Sequence, residues 1–150
     1  MRPATAGAER AVTADVPFMV IGVPFRRIIG VEFSKELTAI AERNLRTYQS
    51  PEQQCQDLSA VWADVAAYEM PDGPLVIYSY NSFDGVILKR ALENIARSFE
   101  AQPRELLFVY ANPIFRSELD DAGFLSCTAV WDHGHVVVYR NALAPEITGG

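Results

Sequence analysis

The sequence predicts an α/β fold in which a mostly parallel sheet, with helices between its strands, ends in a C-terminal antiparallel hairpin. Runs rich in β-branched and aromatic residues alternate with segments of helical periodicity, which is typical of a parallel sheet covered on both faces. Polar side chains follow directly on several of these runs, at the points where the strands are expected to end. Two final segments of alternating polarity flank Asp132-His133-Gly134 and predict the hairpin.

The most clearly patterned unit lies at residues 26–48. Residues 26–32 predict a buried strand that ends on Glu32, and Ser34 is the expected N-cap of the helix that follows. A carboxylate at the carboxyl end of a parallel strand lies where open α/β sheets bind ligands, and it can accept hydrogen bonds from both hydroxyls of a ribose. The predicted apolar face of the helix consists of Leu37, Ile40, Ala41, Leu45 and Tyr48.

Strands and helices continue to alternate along the rest of the chain. Pro71-Asp72-Gly73 predicts a turn between two strands, and Gly123 is expected as a left-handed cap after the last helix. The expected elements are strands at 59–62, 74–80 and 104–111, helices at 84–100 and 114–121, and hairpin strands at 125–131 and 135–140.

Three strand ends together resemble a known family. The order of Glu32, then Ala63-Asp64-Val65, then Tyr78-Ser79-Tyr80-Asn81-Ser82-Phe83, then the hairpin is similar to that of class I S-adenosylmethionine-dependent methyltransferases, over residues 26–140. The resemblance implies a Rossmann-like methyltransferase sandwich with S-adenosyl-L-methionine as its cofactor. It also implies transfer of a methyl group to an amino nitrogen of a protein or small molecule.

The same resemblance assigns cofactor contacts to two strand ends. It implies that Glu32 holds the ribose and that Asp64 accepts a hydrogen bond from the adenine amino group, with Phe33 and Val65 completing the site. Asp64 has an alternative interpretation, because turn aspartates commonly cap the backbone that follows them, here at residues 66 and 67.

Asn81 is the candidate catalytic and substrate-binding residue, with Phe83 beside it. The resemblance places both at the acceptor end of the site. An amide oxygen and a backbone carbonyl there can accept hydrogen bonds from a substrate amine and direct its lone pair at the methyl group. An ordinary strand-to-helix cap is the alternative interpretation of Asn81.

The segment before residue 26 departs from the family pattern. A methyltransferase has there a strand and a glycine-rich turn, at which bare backbone approaches the cofactor. Only Gly7 of Ala6-Gly7-Ala8-Glu9-Arg10 fits such a turn, which leaves residues 1–5 for the strand and predicts a helix over residues 11–18. We therefore expect an incomplete first βα unit in a degenerate segment 1–25, followed by an α/β domain at 26–141 and a flexible tail at 142–150.

Composition limits the classes of partner. A length of 150 residues with 49% hydrophobic and 21% charged content is typical of one globular domain. The formal net charge of −6 argues against a broad nucleic-acid footprint. The apolar stretch at 16–25 contains two prolines and is too short to cross a bilayer, so neither a targeting segment nor a membrane partner is expected. Cys55 and Cys127 predict reduced thiols in a cytoplasmic protein, and His133 and His135 are expected to be exposed without a metal.

Two other functions stay open. A chain with a degenerate glycine-rich turn could serve as a catalytically inactive binding module. An NAD-type nucleotide-binding domain also combines strand, acid and helix, but it requires a glycine fingerprint and is disfavoured by the Asn81 strand end and the terminal hairpin.

Overall fold

A computed structural model describes residues 10–13, 26–47, 51, 53–54, 57–80 and 83–142 of the chain. Within these residues, seven strands form one sheet and three α-helices follow strands 2, 4 and 5. In chain order the elements are β1 (Arg10–Thr13), β2 (Arg27–Glu32), α1 (Lys35–Thr47), β3 (Leu58–Trp62), β4 (Leu75–Tyr80), α2 (Gly85–Ala101), β5 (Leu106–Ala111), α3 (Arg116–Asp120), β6 (Leu125–Trp131) and β7 (Val136–Asn141).

The sheet has the order β3-β2-β1-β4-β5-β7-β6. Its first five strands are parallel, whereas β7 is antiparallel to both β5 and β6. Trp131 pairs with Val136 beside a short 3₁₀ turn at Asp132–Gly134, as the predicted hairpin requires. The predicted α/β fold class, with a mostly parallel sheet and a terminal hairpin, is confirmed.

The main core lies between the sheet and α2. Alternate residues of β2, β4 and β5 contribute to it, and α2 buries one stripe at helical spacing because its apolar residues recur at i, i+3, i+4 and i+7. A smaller cluster, formed by Ile28, Val76, Leu107 and Val138, occupies the opposite face of the sheet. The members of the α2 stripe are Leu88, Ala91, Leu92, Ile95 and Phe99.

Helix α1 begins as predicted but buries less of its apolar face than expected. The Ser34 hydroxyl accepts a hydrogen bond from the Leu37 amide at 3.2 Å, which confirms the cap. Leu37 is 54% exposed and Ile40 42% exposed, and the helix residue that is buried is Thr38. The hydroxyl of Thr38 donates to the Ser34 carbonyl at 2.8 Å, so this buried polar group is satisfied by the cap itself.

Two local predictions are wrong. Residues 10–13 form β1 rather than the end of a turn and the start of a helix, because their backbone pairs with β2 on one side and β4 on the other. Gly123 does not adopt the left-handed conformation: the positive-φ glycines of the described residues are Gly73 and Gly134. Helix α3 ends at Asp120, and its C-cap is Asp121, which is in the right-handed α conformation and whose amide donates to the Ser117 carbonyl at 2.9 Å.

Candidate functional site

The candidate site lies at the carboxyl ends of β2, β3 and β4. The order of the strands reverses between β1 and β4, since β2 and β3 lie on one side of β1 while β4 and β5 lie on the other. Open α/β sheets bind ligands in the crevice at such a switch point. Glu32 and Trp62, the last residues of β2 and β3, are opposite each other in the register.

Glu32 is held in place by the turn into α1. One carboxylate oxygen accepts a hydrogen bond from the Ser34 amide at 3.0 Å, and the Glu32 carbonyl accepts one from the Ala63 amide at 2.9 Å. Among the described residues, the second carboxylate oxygen has no partner. The side chain is half-buried and fixed at the end of β2, and its second oxygen can accept hydrogen bonds from a ligand.

Phe33 follows Glu32 and projects its ring into solvent. It is 76% exposed, the highest value among the exposed large apolar residues of the described chain. Trp62, across the register at the end of β3, is 57% exposed. The exposed Phe33 ring beside the fixed Glu32 carboxylate is suited to binding a flat ring that is attached to a polyol.

Asp64 performs the capping role that was its alternative interpretation. Its Oδ1 accepts a hydrogen bond from the Ala66 amide at 2.9 Å, and its carbonyl accepts one from the Ala67 amide at 3.0 Å. The residue is exposed, and its other carboxylate oxygen has no partner among the described residues. The bond to Ala66 therefore orients the Asp64 side chain, and its second carboxylate oxygen can still accept a hydrogen bond from a ligand.

The loop after β3 is fixed to α2 by Asn94, a residue that sequence reasoning missed. The Asn94 amide nitrogen donates to the carbonyls of Val65 and Tyr68, at 3.0 and 2.8 Å. Val65 is half-buried and packs on the main core with Met70. In the sequence, Asn94 is the one side-chain amide of a helix whose other face is apolar, but nothing there identifies the carbonyls to which it donates.

The β4 strand end is only partly described. Asn81 lies outside the described residues, as does Gly7. Phe83 is half-buried and lines an apolar cavity of about 20 Å³ together with Val31, Val65 and Ser79. The N-cap of α2 is Asp84, whose carboxylate accepts from the Ile87 amide at 2.9 Å, so the capping role does not fall to Asn81.

Outside these strand ends, the described residues contain neither a metal-binding cluster nor a membrane-spanning helix. Over residues 26–47, 57–80 and 83–142, no cluster of three histidine, cysteine or acidic side chains could hold a metal ion. His135 and Asp132 form an exposed pair at 3.4 Å in the hairpin turn. None of the helices described is long and apolar enough to cross a membrane.

The sheet order and the reversed seventh strand define a Rossmann-like sandwich with a C-terminal hairpin. Solved structures that are similar to the chain include several S-adenosylmethionine-dependent methyltransferases, and the chain has the class I S-adenosylmethionine-dependent methyltransferase fold. Magnesium protoporphyrin IX methyltransferase from Synechocystis PCC 6803, solved with bound S-adenosylmethionine, has a TM-score of 0.59 and 11% identity, covering 91% of this chain and 71% of that protein.

Two further structures show the same likeness. An S-adenosylmethionine-dependent methyltransferase from Methanosarcina mazei has a TM-score of 0.61 at 9% identity, covering 91% of this chain and 94% of its own. The 23S rRNA methyltransferase ErmE has a TM-score of 0.57 at 11% identity, covering 93% and 64%. No protein-family model and no curated protein sequence matches the chain. The likeness therefore establishes the fold, while function has to be argued from the site.

Proposed function

We propose that this chain binds S-adenosyl-L-methionine at the carboxyl ends of β2 and β3 and transfers its methyl group. The observation that carries the proposal is the Glu32 carboxylate, which lies at the carboxyl end of β2, one strand from the β1–β4 switch point of the sheet. One of its oxygens is fixed and the other has no partner among the described residues. A ribose diol is the ligand chemistry that such a carboxylate serves.

The donor and acceptor groups of the site fit the adenosine half of the cofactor. Glu32 would accept the ribose hydroxyls, Phe33 would cover the base with its exposed ring, and Asp64 would accept from the adenine amino group. Val65 would supply an apolar wall, since Asn94 holds its backbone against α2. The sulfonium of the bound cofactor supplies the leaving group, so the protein needs only to orient the two reactants.

The methionine half of the cofactor finds less support in the sequence. Family members place a glycine-rich turn directly after the first strand, and here that strand is Arg10–Thr13. The residues after it are Ala14-Asp15-Val16-Pro17, and the first glycine of the connection is Gly22. Two backbone donors lost at about 1 kcal/mol each would weaken binding on the order of 30-fold relative to an intact motif.

The acceptor is proposed to be an amino nitrogen. Asn81 follows β4 directly in the sequence, and the N-cap of α2 is Asp84. The amide oxygen of Asn81 is the proposed acceptor of a hydrogen bond from the substrate amine. A protein or small molecule of the cytoplasm is the proposed substrate, with Phe83 beside it. The net charge of −6 disfavours nucleic acid.

A catalytically inactive binding module is the second candidate, and the glycine-free residues after β1 favour it. The two candidates differ in cofactor binding and turnover. An NAD-type domain is not favoured, because β7 runs antiparallel between β5 and β6.

Isothermal titration calorimetry separates these functions. S-adenosylmethionine, S-adenosylhomocysteine and NAD are titrated into the same preparation of the full chain. The proposal predicts saturable binding of the first two ligands and none of NAD. Binding of NAD but of neither other ligand would contradict the proposal and support an NAD-type domain. Absence of binding by all three ligands at millimolar concentration would favour the inactive module.

A further inference from the structure

The turn between β2 and α1 carries both Glu32 and Phe33, so its rigidity decides how well they are placed. Backbone and carboxylate bonds fix Glu32 and Ser34, as described above. The carbonyl of Phe33 lies between them, and the Phe33 side chain is 76% exposed. An unrestrained peptide at this point would let the aromatic ring and the carboxylate move relative to each other.

The Trp62 side chain restrains that peptide. Its indole N–H donates to the Phe33 carbonyl at 2.9 Å, across 29 positions of sequence. Trp62 ends β3 and is paired with Glu32 in the register, so its side chain reaches over the end of the neighbouring strand. The bond therefore ties the end of one strand to the turn that leaves the other.

A cation holds the indole from the other side of the turn. The Lys35 ammonium, at the first position of α1, lies 5.3 Å from the centroid of the Trp62 ring. This distance is within the range of cation–π attraction. Trp62 is thus held by Phe33 and Lys35, which flank Ser34 on the two sides of the helix cap.

We infer that Trp62 is a positioning residue that fixes the Phe33 carbonyl and thereby the adenosine-binding turn. The Trp62–Phe33–Lys35 contact, named here the indole latch, is formed by the chain alone and is present without a ligand. Only its effect on affinity rests on the proposed function. The latch itself is tested without any cofactor.

Trp131 provides an internal control for the latch. The described chain has two tryptophans of almost equal exposure, 57% for Trp62 and 55% for Trp131. Among the described residues, Trp131 has no side-chain hydrogen-bond partner. Exposure alone would give the two indole N–H groups similar solvent exchange, so a difference reports the bond to Phe33.

The first experiment measures indole N–H exchange by ¹H–¹⁵N NMR in the full chain, with Trp62→Phe assigning the two signals. The inference predicts slower exchange at Trp62 than at Trp131, and faster exchange of the Ser34 amide in Trp62→Phe than in Trp131→Phe. Lys35→Met should speed Trp62 exchange and Lys35→Arg should restore it. Equal indole exchange rates, or an unchanged Ser34 amide, would overturn the latch even if either variant were destabilised elsewhere.

The second experiment titrates adenosine and S-adenosylmethionine into the wild type, Trp62→Phe and Trp131→Phe. Because the latch is also formed without a ligand, its loss lowers affinity only through the added cost of ordering the turn. An affinity lower by up to about fivefold is predicted in Trp62→Phe and an unchanged affinity in Trp131→Phe. Equal affinity in all three proteins would overturn the positioning role. If the wild type binds neither ligand, the proposed function fails, while a slow Trp62 N–H and a faster Ser34 amide in Trp62→Phe would still establish the latch.

Discussion

Replacing Glu32 by Gln tests the ribose contact with little change to the fold. The Glu32 carboxylate accepts one bond from the Ser34 amide, and a glutamine oxygen can accept the same bond. The substitution instead removes the negative charge and one of the two acceptor oxygens. Glu32→Ala would also delete the bond to Ser34 and so mix a loss of about 1 kcal/mol in stability with the loss of ligand contacts.

The expected effect on affinity follows from the two ribose bonds. Hydrogen bonds to a charged acceptor contribute about 1.5–3 kcal/mol each, and replacing two of them by one neutral bond should cost about 3 kcal/mol. This corresponds to on the order of 100-fold weaker binding of S-adenosylmethionine by calorimetry. Wild-type affinity in Glu32→Gln would refute the ribose assignment.

Glu36→Gln is the matched control for this change. Glu36 is exposed in the first turn of α1 and carries the same charge close to the site without a place in the proposed contacts. We expect an affinity within about twofold of the wild type, because exposed charges interact weakly across water. A similar loss in both variants would show a general effect of charge on a cationic ligand.

Three further predictions concern the scaffold, and chemical denaturation measures each of them. Asn94→Ala should cost about 2 kcal/mol, because the Val65 and Tyr68 carbonyls lose their donor, and an unchanged midpoint would contradict this. The Arg104 guanidinium donates to the carbonyls of Gln102 and Pro71 and stacks 3.8 Å from the centroid of the Phe99 ring. Arg104→Lys should therefore lower the free energy of unfolding by about 2–3 kcal/mol, because lysine cannot make these contacts together; wild-type stability would contradict this. Burial, with the bond to Asp120, raises the pKa of the Tyr139 hydroxyl. The unfolded chain therefore loses this proton first, and stability should fall above about pH 10 in the wild type but less steeply in Tyr139→Phe; parallel pH profiles would contradict this.

Periodicity was sufficient to predict most of the sheet. Strands β2 to β7 and all three described helices fall within a few residues of their expected positions. The signals were strongest at β4, β5 and α2, which have long apolar runs or a clear helical stripe. The terminal hairpin was equally readable, since alternating strands flanked a turn with glycine at its end. Such signals are local, and the structure follows them.

Strand β1 was missed because its stability is not local. Its four residues contain no run long enough to predict a strand, and it forms because β2 and β4 each pair with it. The glycine at position 7 gave a family-based reason to expect a turn there, and that expectation moved the strand upstream. Short central strands are determined by their neighbours rather than by their own residues.

The sequence predicted the site residues at the strand ends but not the side chains, Asn94 and Trp62, that hold the neighbouring backbone in place. Glu32 and Asp64 could be located because a carboxylate directly after a buried strand is a readable pattern. Their supports could not, since Asn94 and Trp62 each act on residues 26 to 29 positions away. Sequence proximity carries no information about such contacts until the fold is known.

Mapping S-adenosylmethionine onto the full chain by ¹H–¹⁵N NMR tests the central claim most directly. We predict saturable shifts at Glu32, Phe33 and Asp64, with none at Trp131 or His133 of the hairpin, because β1, β4 and β5 lie between β2 and the hairpin in the sheet. Adenosine should shift the same three amides, because it carries the groups that they are proposed to bind. Shifts confined to the hairpin, or none at millimolar S-adenosylmethionine, would contradict a cofactor site at the carboxyl ends of β2 and β3.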